Sequence, residues 1–253
     1  MASEAAAPPA LPDYVLDADA VLKDANINWR HGRAPDYSRT RQVWTETKKS
    51  SHPAASLPDL VEKLVKNWEI EASYKPNLSD WRTIDRPSYS FSVNGGPPQS
   101  AEHMLEVGTY NAIIEPSEWY CPARSSFDAS HKTFKRMMPT FAWEVLEVWS
   151  GPPKVVFKWR HWGEMKADYT GVNNLCTLEN EGANQCFCLL VKVKRSQSRP
   201  TAGRLTSEGL HDRAKVNEKL QLQAVEVFFD PLAMFRQMTP DGETGVEKVK
   251  MDM

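Results

Sequence analysis

The sequence lacks any run of about 18 to 20 apolar residues, the length that a membrane-spanning helix requires. Its first residues carry neither the basic segment nor the long apolar segment of a secretory signal, and its last residues match no lipidation or retention motif. Cysteine is also scarce: four cysteines without a CxxC motif are too few for a disulfide scaffold in a chain of 253 residues. We therefore expect a cytoplasmic protein with reduced thiols and no membrane partner.

An excess of charge of either sign is missing too, since 31 Lys and Arg residues face 33 Asp and Glu residues. Binding to nucleic acid through phosphate neutralisation needs a basic surface, so we expect no nucleic-acid partner. The sequence contains no glycine-rich phosphate loop, no HExxH motif and no GxSxG motif. Its six histidines are scattered without the spacing of metal ligands. The sequence therefore predicts no metal and no cofactor.

Aromatic residues, by contrast, are abundant: the chain has nine Trp, nine Phe and seven Tyr. This supply of large apolar side chains argues against disorder over most of the chain, because disordered segments are poor in them. Four of the tryptophans lie between Trp143 and Trp162. A length near 250 residues allows one large domain or two small ones, and either can bury a core around these side chains.

The composition divides the chain into four parts. Residues 1–13 are rich in Ala and Pro and are predicted to be a disordered tail. Residues 14–56 contain isolated aromatics and are interpreted as an N-terminal extension that wraps the core. Residues 57–238 form the main domain, interrupted at 196–218 by a polar insertion that is predicted to end in a helical turn. Residues 239–253 are predicted to be a loose C-terminal tail.

Helical patterns come first in the main domain, and strand patterns follow. The predicted helices cover residues 57–72, 101–114, 127–138 and 232–238. The predicted strands after residue 139 cover residues 141–149, 155–162, 186–194 and 220–229. Helices followed by a run of antiparallel strands indicate the α+β class, with a curved antiparallel sheet packed on N-terminal helices.

Several blocks of the sequence resemble a known family. They include Asn28-Trp29-Arg30, the segment FAWEVLEVWSGPP at 141–153 and the segment FKWRHWG at 157–163. Over residues 28–238 the chain resembles the plant and fungal pathogen-related proteins, within the SnoaL-like branch of the nuclear-transport-factor-2-like superfamily. The resemblance implies a cone-shaped α+β barrel with a mostly apolar cavity. Polyketide cyclases, isomerases, dehydratases and non-enzymatic binders share this fold, so the fold alone does not establish the function.

The strand 155–162 carries the first catalytic candidate. Alternate residues of a strand share a face, so Phe157, Trp159 and His161 are predicted to lie together on one wall of the cavity. Histidine is the usual acid or base in enzymes because its pKa is near 6.5. His161 is therefore interpreted as a catalytic residue; the alternative is a hydrogen-bonded structural histidine.

Two glutamates of the preceding strand lie on opposite faces, and the sequence does not decide which of them points inward. If Trp143 and Glu147 face the cavity, Glu147 is predicted to orient the catalytic histidine. If the other face is inward, Glu144 is the acid in the cavity. Either glutamate could instead form a salt bridge with Lys158 or Arg160 of the neighbouring strand.

Asp230 is the third catalytic candidate, because it follows an apolar strand and precedes Pro231. In SnoaL-like proteins, which the chain resembles, an acidic residue in this region often points into the cavity. A carboxylate against apolar walls has a raised pKa and can act as a base. The alternative is that Asp230 caps a helix that starts at the proline.

Further side chains are expected around the substrate. Tyr110 and Tyr120 are interpreted as hydroxyl donors to a developing negative charge. Lys135, one turn after His131 in the helix 127–138, is expected to be solvated. The predicted substrate-binding residues are Tyr110, Tyr120, His131, Trp143, Phe157, Trp159 and Phe228.

Three hypotheses about function follow. The first is a cofactor-independent cyclase, isomerase or dehydratase that acts on an apolar, polyketide- or terpenoid-like small molecule. The second is a non-catalytic binder that uses the same pocket. The third is an interaction protein that forms a homodimer through its sheet, with Trp149 and Trp162 as interface anchors.

Overall fold

The structure, a computed structural model, describes residues 10–117, 119–172, 189–193, 204–238 and 246–250. Its helices are α1 (Asp13–Leu16), α2 (Ser38–Thr47), α3 (Leu57–Tyr74), α4 (Ala101–Val107), α5 (Thr109–Ile113), α6 (Phe127–Met137) and α7 (Ala233–Met238). Its strands are β1 (Ser90–Val93), β2 (Phe141–Ser150), β3 (Lys154–Glu164), β4 (Tyr169–Val172), β5 (Leu189–Val193), β6 (Arg204–Val216), β7 (Leu222–Val227) and β8 (Val246–Lys250). The predicted strand at 186–194 is described only where it coincides with β5.

Helix α3 packs its apolar face against the main sheet. It begins after Ser56 with a proline in its first turn, where the missing N–H costs nothing. Val61, Leu64 and Trp68 recur at helical spacing and are buried against the main sheet. The prediction of a helix at 57–72 is therefore confirmed, and the helix continues for two more residues.

A buried amide of α3 helps to fix the N-terminal extension to this helix. The Asn67 side chain donates hydrogen bonds to the carbonyl oxygens of Tyr14 and Asp17, at 2.9 Å and 2.7 Å, and accepts one from the N–H of Val21 at 3.1 Å. Buried polar groups without partners are costly, so this amide and the three backbone groups stabilise one another. The extension thus packs on the core, as its isolated aromatics suggest.

The main sheet has five strands in the order β1-β7-β6-β3-β2. The β1–β7 pair is parallel, and the other pairs are antiparallel. Register shifts interrupt the β2–β3 pair and the β3–β6 pair, and such bulges bend a sheet. The α+β class, with a mostly antiparallel curved sheet packed on N-terminal helices, is confirmed.

Gly108 divides the helix that the sequence predicts at 101–114. Its φ of +89° lies in a region that residues with a Cβ rarely adopt, and α4 therefore ends there and α5 begins. A Cβ at this position would also lie 2.9 Å from the Phe127 ring. The periodicity alone did not reveal this break.

Strand β6 occupies most of the segment that the sequence presents as a polar insertion. Asp212, Ala214 and Val216 are buried, whereas Arg213 and Lys215 are exposed, which is the alternation of a strand with one solvated face. The predicted helical turn near 208–218 is therefore wrong. An aspartate at a buried position hides the apolar alternation that would have predicted a strand.

A second sheet of three strands has the order β4-β5-β8. Its strand β8 lies within the segment that the sequence predicts to be a loose tail, and it pairs with β5 in antiparallel register. A second apolar cluster that includes Phe134, Tyr169 and Phe235 joins α6, β4 and α7. Over the described residues, no helix is long and apolar enough to cross a membrane.

Candidate functional site

A cavity of about 200 Å³ lies between helix α3, helix α6 and the main sheet. Most of its wall is apolar. The aromatic residues that line it are Tyr37, Trp68, Phe91, Tyr110, Phe134, Phe141, Trp143, Phe157, Trp159 and Phe229. The polar side chains with ionisable groups that line it are Arg41, Lys66, Glu69, Lys135, His161 and Asp212. An apolar pocket with a few polar groups is the usual form of a small-molecule site.

The sheet wall of the cavity carries four of the residues that the sequence predicts there. Trp143 lies opposite His161 in the β2–β3 register, and its ring packs against those of Phe157 and Trp159 with centroid distances of 6.2 Å and 6.5 Å. The inward face of β3 thus consists of Phe157, Trp159 and His161, as alternation predicts.

His161 is uncharged in this setting. Its ring stacks on Phe141, and burial together with the nearby Lys135 ammonium lowers its pKa to about 3, although the Phe141 backbone favours the charged form. A neutral imidazole near pH 7 can donate or accept a hydrogen bond. The charged imidazolium is not populated at that pH, so the catalytic role that the sequence predicts for His161 would use the neutral ring.

Asp212 is the acidic group on the sheet wall of the cavity, and it is not among the residues predicted from the sequence. It lies on β6 opposite Phe157, and only 6% of its surface is exposed. Burial raises its pKa to about 7, against the opposing effects of the Trp159 indole and of the Phe228 N–H, which donates to its Oδ1 at 3.2 Å. The carboxyl can therefore both accept and give up a proton near neutral pH.

The helix side of the cavity has a different polar group. Lys135 of α6 lines the cavity together with Glu69, although the sequence predicts it to be solvated. The Tyr37 hydroxyl lies 2.9 Å and 2.8 Å from the two carboxylate oxygens of Glu69 and donates to them. Burial disfavours the Lys135 ammonium, but Tyr110, Glu69 and Tyr74 outweigh that effect and raise its pKa.

Tyr110 lines the cavity close to this group. Its ring stacks on Phe134 with a centroid distance of 4.5 Å, and burial raises the pKa of its hydroxyl to about 12. The hydroxyl is therefore protonated at neutral pH and is able to donate a hydrogen bond. This placement agrees with the lining role that the sequence analysis gives to Tyr110.

Tyr120 and His131 are buried but do not line the cavity. The Tyr120 hydroxyl donates a hydrogen bond to the side-chain oxygen of Asn111, and its ring packs against the lining residue Phe134. The His131 ring stacks on Phe127 with a centroid distance of 4.5 Å, and burial lowers its pKa to about 4. Both side chains support the wall and do not reach the cavity themselves.

Asp230 lies outside the cavity, where the capping alternative placed it. It is exposed, accepts the Leu232 N–H at 2.9 Å ahead of α7 and forms an ion pair with Arg236. The adjacent Phe228 packs against Arg213, an exposed residue, while Phe229 lines the cavity. Phe229 therefore faces the cavity, whereas the sequence predicts that Phe228 and Asp230 do.

Glu147 is exposed, because a bulge between Val145 and Glu147 breaks the alternation on which its inward placement depended. Glu144 is buried on the outer face of the sheet and pairs with Arg160 at 2.6 Å, which is the salt bridge that the sequence analysis left open. It does not line the cavity.

The Glu144–Arg160 pair holds the end of the N-terminal extension. Glu144 accepts the N–H of Ser50 at 3.0 Å, and Arg160 donates to the carbonyl oxygen of Thr47. The Trp162 indole N–H donates to the Thr47 hydroxyl at 2.9 Å, and this tryptophan is fully buried in its own chain. Trp162 therefore does not serve as an interface anchor, whereas Trp149 is 49% exposed.

The two titratable groups on the sheet wall are well separated. Asp212 lies opposite Phe157, and His161 follows Phe157 by four residues. At roughly 3.3 Å per residue their backbone positions are about 13 Å apart along the sheet. They therefore do not form a hydrogen-bonded acid–base dyad, and any proton transfer at the sheet depends on one group at a time.

Within the described ranges, no group of three or more His, Cys, Asp or Glu side chains comes close enough to hold a metal ion.

No protein-family model matches the sequence. The resemblance to the pathogen-related proteins is confirmed by the pathogen-related protein of Hordeum vulgare, which is 34% identical over 151 residues. That match covers 56% of this chain and 64% of the barley protein, so the chain spans less than two thirds of that relative.

Solved structures of low sequence identity are also similar. The pinacolase BvnE of Penicillium brevicompactum is 11% identical, with a TM-score of 0.36 over 75% of this chain and 97% of its own. A candidate polyketide cyclase of Acidithiobacillus ferrooxidans is 10% identical, with a TM-score of 0.37 over 75% of this chain and 99% of its own.

Proposed function

We propose that this protein is a cofactor-independent cyclase, isomerase or dehydratase that moves a proton on an apolar small molecule, with Asp212 as the group that carries the proton. The observation that carries the proposal is a nearly buried carboxyl of the cavity wall with a pKa of about 7. A group with a pKa near the working pH is the most effective general acid or base, and such catalysis contributes about 10²–10⁴-fold.

The chemistry needs only this chain's own residues. As a carboxylate, Asp212 would take a proton from a carbon next to a substrate carbonyl, leaving an enol or enolate. As a carboxylic acid, it would return the proton to another atom of the same molecule. The apolar wall would hold the substrate in place, and the neutral His161 and Tyr110 would offer hydrogen bonds to its oxygens. The resemblance to SnoaL-like proteins favours a polyketide- or terpenoid-like substrate.

The test uses 2-tetralone, an apolar bicyclic ketone with exchangeable protons beside its carbonyl, as the probe. Its exchange of hydrogen for deuterium in heavy water is followed by NMR with wild-type protein and with Asp212→Asn. We expect the wild-type protein to accelerate the exchange and the variant to lose about 10²–10⁴-fold of that acceleration. The amide keeps the shape of the carboxyl but cannot carry the proton.

Asp230→Asn is the matched control, because Asp230 is an exposed aspartate outside the cavity. We expect this variant to exchange the probe at the wild-type rate. Loss of exchange in Asp230→Asn, with full exchange in Asp212→Asn, would show that the proton carrier has been assigned to the wrong residue.

The second candidate function is a non-catalytic binder of the same small molecules. It is favoured by the uncharged His161 and by the distance of about 13 Å between His161 and Asp212 along the sheet, which leaves no coupled acid–base pair. A binder would take up 2-tetralone without accelerating its exchange in either the wild-type protein or Asp212→Asn.

A further inference from the structure

Lys135 differs from the other cations that line the cavity. Lys66 lies 2.7 Å from the Glu62 carboxylate, and Arg41 lies 2.8 Å from the Asp19 carboxylate. Among the described residues, no carboxylate lies within the 4.0 Å of an ion pair with Lys135. Lys135 is therefore an ammonium group of the cavity that no carboxylate among the described residues bonds directly.

Tyrosine side chains lie around this ammonium instead. Tyr74 and Tyr110 contribute to its electrostatic surroundings, and its Nζ lies 5.7 Å from the centre of the Tyr37 ring. The nearest acidic influence is Glu69, whose two oxygens already accept the Tyr37 hydroxyl. An ammonium without a directly bonded carboxylate gains from an anion that it can bond directly.

The Lys135 ammonium lies at a different end of the cavity from the Asp212 carboxyl. It is close enough to His161 to lower the pKa of that imidazole, whereas Asp212 lies about 13 Å along the sheet from His161. The cavity therefore has a cationic end on the helix side and a proton-carrying end on the sheet. A ligand that occupies both ends has its charged group away from the atoms that exchange a proton.

We propose that Lys135, with the Tyr110 hydroxyl beside it, is the specificity-determining subsite for one anionic oxygen group of the ligand. The ligand class is then an elongated apolar ring system that carries a single carboxylate or enolate-type oxygen at one end. This inference rests on the proposed function and deepens it, since it fixes the orientation in which such a molecule presents its reacting carbon to Asp212.

Two probes of the same shape test the subsite. Calorimetry gives the dissociation constants of 2-naphthoate and of its neutral isostere 2-naphthamide at neutral pH. The wild-type protein is expected to prefer the anion by roughly 10- to 100-fold, the range of a hydrogen bond to a charged group. Lys135→Met is expected to abolish this preference and to keep the affinity for 2-naphthamide, which also shows that the variant is folded.

Lys132→Met is the matched control, because Lys132 is an exposed lysine on the same helix. It is expected to keep the full preference for 2-naphthoate. Equal binding of the two probes by the wild-type protein would overturn the subsite while leaving the proposed proton transfer intact, and so would a preference that survives in Lys135→Met. Failure of both probes to bind would overturn the subsite together with the cavity's role as a ligand site.

Discussion

Burial reverses the usual order of the pKa values of Asp212 and His161. Burial raises the pKa of Asp212 to about 7 and lowers that of His161 to about 3, because removal from water disfavours the charged form of either group. At neutral pH the aspartate is the group that titrates and the histidine is the neutral one. Residue type alone would instead select the histidine as the group that titrates near neutral pH.

The raised pKa of Asp212 has a consequence for stability that needs no substrate. The folded protein holds the proton to about pH 7, whereas the unfolded chain loses it near the ordinary value of 3.8, so the wild-type protein loses stability as the pH rises between these values. We expect Asp212→Asn, which cannot ionise, to gain up to about 4 kcal/mol of unfolding free energy relative to wild type over this range.

Urea unfolding of the two proteins from about pH 4 to about pH 8 measures this difference. Below the lower pKa the carboxyl is protonated in both states, so its titration contributes nothing to the difference there. A difference that stays constant across the whole range would mean that Asp212 has an ordinary pKa in the folded protein.

At the scale of the elements, the bulge in strand β2 separates a buried glutamate, Glu144, from an exposed one, Glu147. Glu144 is fully buried and bonds both Arg160 and the backbone of the extension, whereas Glu147 is exposed beyond the bulge. Removing one partner of a buried ion pair leaves an uncompensated charge. The outer face of β2 and β3 thus anchors the extension by a polar contact that has no role in the cavity.

Replacement of Glu144 by Gln is expected to lower the free energy of unfolding by about 3–5 kcal/mol, because it leaves the Arg160 guanidinium buried without its carboxylate. Glu147→Gln on the same strand is expected to change it by no more than about 0.5 kcal/mol. Urea denaturation of both variants gives the two values. Equal effects would contradict the assignment of the two faces of β2.

The sequence predicts some of these helices and strands and not others. Helix α3 and the inward face of β3 were predictable, because their apolar spacing is regular and Ser56 marks the helix start. The inward face of β2 was not, because a bulge shifts the alternation. Strand β6 was hidden because Asp212, the residue that matters most to the site, breaks its apolar pattern.

At the scale of the whole molecule, the N-terminal extension is part of the site. Tyr37, Thr40 and Arg41 line the cavity, and Asn67 and the Glu144–Arg160 pair hold the extension at either end. The cavity therefore exists only when the extension, the helices and the sheet are packed together. This arrangement brings Lys135 and Asp212 into one apolar chamber, although they are far apart in the sequence.

The central claim is that Asp212 carries a proton in this chamber, and the pH profile of 2-tetralone exchange by the wild-type protein tests it most directly. If the carboxylate is the base, the exchange rate rises with pH and levels off with a midpoint near the pKa of about 7 given by burial, and Asp212→Asn shows no such midpoint. A midpoint near 4, the ordinary value of an aspartate, or a midpoint that persists in Asp212→Asn, would contradict the account.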